Sequence, residues 1–261
     1  MNPRSTFVAL ALLPLVGCGG SGTWSVSTYG EPYIEEEIPA SDFADGCSAT
    51  FDTFQVMIAE ASLLDGDGSA VASMPDAQVF DVAKAGPHEV ASLDVPATFY
   101  DTARFRIGPA SSAVGGNVDD SEAQAMVDAG TSMWATGTLT CGTETKTFDW
   151  SFSSDSLYDC EPEDLVIPNG GTDATELTVH GDHFFYDGLA NEDAEVRGQA
   201  IFDADADANG AITQTELAAV PVAPLGYQVG PNSDVTDLGA FVERLTAALG
   251  HVDGEGHCQV Q

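Results

Sequence analysis

Between residues 47 and 180 apolar and polar positions alternate with a period of two in short runs, the signature of strands that bury one face. In 145–152 (TKTFDWSF) Phe148, Trp150 and Phe152 share a side, and in 97–107 (ATFYDTARFRI) Phe99, Ala103, Phe105 and Ile107 do. Similar runs at 48–59, 77–82, 88–93, 133–140 and 176–179 are divided by Asp65-Gly66-Asp67-Gly68, Gly115-Gly116-Asn117 and Pro168-Asn169-Gly170-Gly171, whose residues favour tight turns. This pattern predicts a mostly β fold, an antiparallel β-sandwich over 47–183. Trp134 and Trp150 read as core residues, and Asp65–Ser69 (DGDGS) as a hairpin turn.

The period changes to that of helices in three places. Residues 120–129 open with acids and stop at Gly130, which predicts one or two helical turns. Residues 191–202 (NEDAEVRGQAIF) space Ala194, Val196, Ala200 and Ile201 as a short amphipathic helix, again with acids in the first turn. Residues 233–249 place Leu238, Phe241, Val242, Leu245 and Leu249 on one face and end at Gly250. The sandwich is therefore expected to be followed by a C-terminal α module over 184–261.

Composition changes the picture chiefly through charge. Forty-two Asp and Glu against seven Lys and Arg give a formal charge of −35. Such a surface repels phosphate backbones, which excludes nucleic acid as a partner, and it attracts cations.

The N-terminus carries one positive charge, Arg4, then the apolar run FVALALLPLVG ending at Cys18. That order describes a secretory signal over 1–17, too short and too interrupted by Pro14 to span a membrane. Leu15-Val16-Gly17-Cys18 resembles the lipobox of bacterial lipoproteins. The resemblance implies lipidation at Cys18, which becomes the first mature residue, and anchoring by acyl chains in the outer membrane or at the cell surface. Residues 18–46 then read as a tether, Gly/Ser-rich at first (GGSGTWSVSTYG) and acidic afterwards. Its Trp24, Tyr29, Tyr33 and Ile34 suggest that part of it docks on the domain.

The remaining cysteines, Cys47, Cys141, Cys160 and Cys258, read in an exported chain as two disulfides with three connectivities open. We expect Cys47–Cys141, stapling two strands, and Cys160–Cys258, tying the C-terminus back to the β domain.

The most informative stretch is DADADANGAITQTELAAVP, from Asp203. A calcium loop starting at Asp203 would put Ala208 where a glycine is needed and Gln214 where the last carboxylate belongs. Starting at Asp205 instead aligns side-chain oxygens from Asp205, Asp207 and Asn209, a turn at Gly210, the carbonyl of Ala211, Thr213 and a closing Glu216. Ca²⁺ takes six to eight hard oxygens, and this spacing supplies them. Residues 205–216 resemble the EF-hand calcium-binding family, with Ile212 as the residue that pins the loop to a core and an exit helix from about Gln214 to before Pro221. The resemblance implies bound Ca²⁺. EF-hands usually pair, and no second loop with this spacing is present, which implies weak binding in a structural role.

Four of the five histidines fall in two groups, His180 and His183 in VHGDHFFYD, and His251 and His257 in GHVDGEGHC. Two readings stand open. One is a second metal site for zinc or copper with Asp182 or Asp253 as an oxygen ligand; the other is turn histidines hydrogen-bonded to backbone and carboxylates. The overall layout also resembles bacterial surface lipoproteins with an HGDHFFYD-like segment, a resemblance that implies no activity.

The leading expectation is a non-enzymatic, calcium-binding surface lipoprotein. Its alternatives are a metal-dependent hydrolase built on His180, His183, His251 and His257, and a calcium-dependent adhesion module with a protein or glycan partner.

Overall fold

The computed structural model describes residues 19–162, 164–189, 193–254 and 256–261. Its strands in chain order are β1 (Ser21–Gly30), β2 (Cys47–Leu64), β3 (Ala70–Ser73), β4 (Gln78–Asp81), β5 (His88–Pro96), β6 (Thr102–Ile107) and β7 (Val114–Gly115). They continue as β8 (Met133–Cys141), β9 (Glu144–Phe152), β10 (Ser156–Cys160), β11 (Thr172–Val179), β12 (Ala211–Ile212), β13 (Gly250–Val252) and β14 (Cys258–Val260). The helices are α1 (Pro32–Glu35), α2 (Asp120–Ala129), α3 (Gln199–Phe202), α4 (Gln214–Leu217) and α5 (Leu238–Leu245).

Two sheets carry the fold. The smaller runs β13-β11-β1-β5, and the larger runs β12-β9-β8-β2-β6-β10-β14 with β3, β4 and β7 added beside β2. Trp24 and Val26 from the small sheet share one buried core with Phe54, Phe105, Trp150 and Tyr158 from the large one. The protein is thus β-rich with facing sheets, as its alternating runs predict. The expected all-antiparallel pairing is corrected: β1–β11, β4–β7 and β12–β9 are parallel.

The expected tether is corrected as well. Residues 21–30 form an interior strand of the small sheet, between β11 and β5. Trp24 and Val26 point inward, and so does Thr28, whose hydroxyl donates to the Leu177 carbonyl at 2.9 Å. A polar residue at an inward position interrupts the apolar period, so this strand reads as a linker in sequence. Ile34 and Ile38, just beyond it, are also buried.

The segment expected to be a separate helical module is woven into both sheets. Its β12 and β14 form the two outer edges of the large sheet, and its β13 forms an edge of the small one. Ile201, Phe202, Ile212, Leu217, Leu238 and Val242 belong to the same buried cluster as Trp24 and Trp150.

Several local expectations match and others shift. Helix α2 has the predicted bounds: the Asp119 N–H donates to the Glu122 carboxylate at 3.0 Å, and Gly130 at φ 66° ends it. The turn after Asp65 joins β2 to β3, with the Asp65 carboxylate accepting from the Asp67 and Ser69 N–H groups. Phe99, in contrast, is 56% exposed, because β6 begins only at Thr102. Trp134 is half-buried on the outer face of β8 and donates to Asp149 at 2.7 Å, whereas Trp150 is fully buried.

Both expected disulfides form. Cys47–Cys141 joins directly opposed positions of β2 and β8, and Cys160–Cys258 those of β10 and β14.

Candidate functional site

Two clusters of chemically capable side chains stand out, and they lie on different parts of the fold. The first is the acidic loop between α3 and α4. Its approach differs from expectation: within 191–202 only Gln199–Phe202 is α-helical, residues 191 and 192 lie outside the described residues, and Val196 bridges to Tyr186 in extended form. The exit helix starts at Gln214 as expected and is one turn long.

The loop closes on itself through its carboxylates. Oxygens of Asp205, Asp207 and Glu216 lie within 4.8 Å of one another. Asp205 is buried and accepts from the backbone N–H groups of Asn209 and Gly210, each at 3.1 Å. Gly210 sits at φ 82°, a left-handed conformation that glycine adopts at little cost. The Asn209 side-chain oxygen accepts from the Ala211 N–H at 2.7 Å. Glu216 is held from both sides, by the Ala206 N–H at 3.0 Å and by the Thr213 hydroxyl at 2.8 Å. Asp203 stays outside the carboxylate cluster and accepts from the Gln199 side chain at 2.9 Å.

These contacts favour the ionised forms of Asp205 and Glu216. Burial pushes the Asp205 carboxyl up, but the Lys146 ammonium and the two backbone N–H groups outweigh it and hold it below the usual carboxylate range. Hydrogen bonds from the Thr213 backbone and hydroxyl do the same for Glu216.

The loop is docked rather than free-standing. Ala211 and Ile212 pair in parallel with Thr147 and Phe148 of β9, and the Trp150 indole donates to the Ile212 carbonyl at 2.9 Å. The loop, unpaired as the sequence reading expects, thus supplies an edge strand of the large sheet. Ile212 is buried in the main core, as predicted.

Lys146 is the residue that sequence reasoning missed. Its ammonium lies 3.1 Å from Asp205 Oδ2 and donates to the Phe202 carbonyl at 2.9 Å. A signal existed: Lys146 stands in the same alternating register as Phe148, Trp150 and Phe152, and is one of the chain's few cations.

The second cluster gathers at the end of the small sheet. His180 follows β11 directly, and the register of β11 with β13 sets Thr178 opposite His251. After His180 a 3-10 turn, Asp182–Phe185, drives Phe184 and Phe185 into the core. This places His183 beside the C-terminal segment, where its Nδ1 donates to the Ala248 carbonyl at 2.7 Å.

The three rings pack together, with His180 and His251 centroids 4.3 Å apart and His180 and His183 5.3 Å apart. Their donor nitrogens lie within 4.8 Å of one another. The fourth expected member does not join: His257 is exposed and contributes only its backbone carbonyl, to the Glu161 N–H. Asp253, one of the two expected oxygen ligands, is instead spent on the Glu176 N–H at 2.9 Å.

Two residues from elsewhere complete the surroundings. Glu31 Oε2 lies 3.3 Å from His180 Nδ1, and nothing local in the sequence links these distant positions. The Asp182 carboxylate accepts from the Tyr186 hydroxyl at 2.9 Å through Oδ2, while its Oδ1 is buried with no partner. His251 Nδ1 is likewise buried and without a partner. An unsatisfied buried polar group typically costs about 1–3 kcal/mol. Burial, reinforced by His180 and His183, pushes the His251 imidazole down to about 4, so it is neutral at physiological pH.

The expected signal segment, residues 1–17, and the expected lipidation site, Cys18, lie outside the described residues. Among the described residues no helix is long and apolar enough to cross a membrane. Comparison with protein-family models, curated proteins and solved structures returns no match, so any function assigned to the chain rests on these residues alone.

Proposed function

We propose that this protein is an exported, lipid-anchored surface protein that binds one Ca²⁺ in an EF-hand-like loop, with the ion in a structural and non-enzymatic role. The observation that carries the reading is the convergence of Asp205, Asp207 and Glu216 oxygens within 4.8 Å around a left-handed Gly210. Asp205, Asp207, Asn209, the Ala211 carbonyl, Thr213 and Glu216 would hold the ion. All are oxygen donors, which matches the preference of Ca²⁺ for hard ligands.

A structural role follows from the docking of the loop. The residues that would hold the ion are continuous with β12, which pairs with β9, and with Ile212 in the core. Calcium would therefore add stability through binding to the folded state only. With one loop and a lysine already on Asp205, affinity is expected at Kd about 10⁻⁴–10⁻³ M, as for extracellular modules. Two disulfides agree with an oxidising, exported setting.

Calorimetric titration of the chelator-treated protein tests the reading. One Ca²⁺ per chain is expected, with binding lost in Glu216→Gln; binding that survives in both Glu216→Gln and Asp205→Asn would overturn the loop as the site. Anchoring is tested separately by fatty-acid labelling in a bacterial host, expected for the native chain and absent in Cys18→Ser.

A further inference from the structure

We propose that His180, His183 and His251, with Asp182 supplying an oxygen, bind one first-row divalent ion of the zinc class. This site is separate from the acidic loop and goes beyond the calcium reading.

Convergence is the first reason. Three imidazoles from two distant segments bring their nitrogens within 4.8 Å of one another, and Asp182 comes within the same distance of His180. Zinc–nitrogen bonds of about 2.0–2.1 Å in a tetrahedron put ligand atoms roughly 3.4 Å apart. Small rotations of the rings close that difference.

The second reason is independent of the first. Asp182 is more than nine-tenths buried, and its Oδ1 has no hydrogen-bond partner; His251 is half-buried as a residue, but its Nδ1 atom is buried and also lacks a partner. Hydrogen-bonded turn histidines account for His183 and for the His180–Glu31 contact. They leave these two buried atoms unexplained, and a bound cation satisfies both.

The surroundings hold three of the four donors from behind, as outer partners of metal ligands do. The Ala248 carbonyl takes the His183 Nδ1 proton and so puts that ring's lone pair on Nε2. Glu31 lies beside His180 Nδ1, and the Tyr186 hydroxyl fixes Asp182 Oδ2. The Gly254 carbonyl stands 3.3 Å from His180 Nε2 and must withdraw when that nitrogen ligates. Gly254 lies in a turn with φ 85°, next to Asp253 at φ 50°.

Ligand chemistry separates the two centres. Imidazole nitrogen suits zinc, copper and nickel, whereas Ca²⁺ selects oxygen. An ion here would lock β11, the Asp182–Phe185 turn and β13 together at one end of the small sheet.

The test uses the full mature chain, stripped by chelator and then held in millimolar Ca²⁺ so that the acidic loop is filled. Cobalt and zinc are titrated in turn. One equivalent of Co²⁺ is expected to give the visible absorption of a four-coordinate site, displaced by Zn²⁺. His251→Ala should weaken binding by about tenfold or more, while His257→Ala leaves it unchanged. If His251→Ala fails to fold, His183→Gln, at a half-buried position, serves instead. No stoichiometric cobalt band, or a band unaffected by either ligand substitution, would overturn the proposal. Asp205→Asn, measured alongside, is expected to lose calcium and keep cobalt, so the two readings fail independently.

Discussion

The ammonium of Lys146 lies 3.1 Å from Oδ2 of Asp205, the first acid of the loop, and also sits over the Phe202 ring at 4.2 Å. A cation from the sheet is thus seated at the edge of a site read as a cation site. It neutralises part of the loop's charge without metal and opposes the approach of a second positive charge. Lys146→Gln is expected to tighten Ca²⁺ by roughly three- to tenfold at low salt, an effect that fades as ionic strength rises. Calorimetry at two salt concentrations checks it; unchanged affinity would mean that the ammonium swings clear when calcium binds.

Docking of the loop on the core predicts a cost that does not depend on calcium. Ile212 is 1% exposed and its carbonyl receives the Trp150 indole. Ile212→Ala is expected to lower stability by about 2–4 kcal/mol in urea denaturation with chelator present. A loss seen only with calcium would show that the ion, not the core, positions β12.

The two disulfides close loops with sequence separations of 94 and 98. Replacing Cys160 and Cys258 together by serine should cost about 2–5 kcal/mol and loosen β14. Hydrogen exchange should then rise in residues 258–260 before it rises in β2.

Alkaline titration reads two phenols whose ionisation the fold delays. Burial pushes the Tyr158 phenol up to about 12, and a hydrogen bond to Asp42, with burial, pushes Tyr33 up to about 12. Both folded values lie above the unfolded value of about 10. The stability they contribute is therefore fully present below about pH 10 and is lost as pH rises through about 12. For fully buried Tyr158 this amounts to about 2–3 kcal/mol. Tyrosinate absorbance against pH should show a late step, well above pH 10, coinciding with unfolding. A single step near pH 10 would contradict the burial of Tyr158.

What the sequence by itself determined is what local chemistry encodes. The Phe148-Trp150-Phe152 alternation specifies an inward face, the Asp119–Glu122 cap and Gly130 bound α2, and the spacing from Asp205 to Glu216 places three carboxylates in one cluster. Each depends on residues within a dozen positions, so period and spacing carry it.

Pairing between distant segments was decided only in three dimensions. Residues 21–30 become an interior strand because β11 and β5 offer backbone partners on both sides, though Thr28 breaks the apolar period. The α3 approach shortens to one turn because Val196 gains an extended bridge to Tyr186 instead. His251 meets His180 through the register of β13 on β11, while the turn that follows leaves His257 in solvent. Lys146 reaches Asp205 because β12 lies on β9. Hydrogen bonds and burial between far positions set these contacts, and their energy belongs to the assembled pair rather than to either segment.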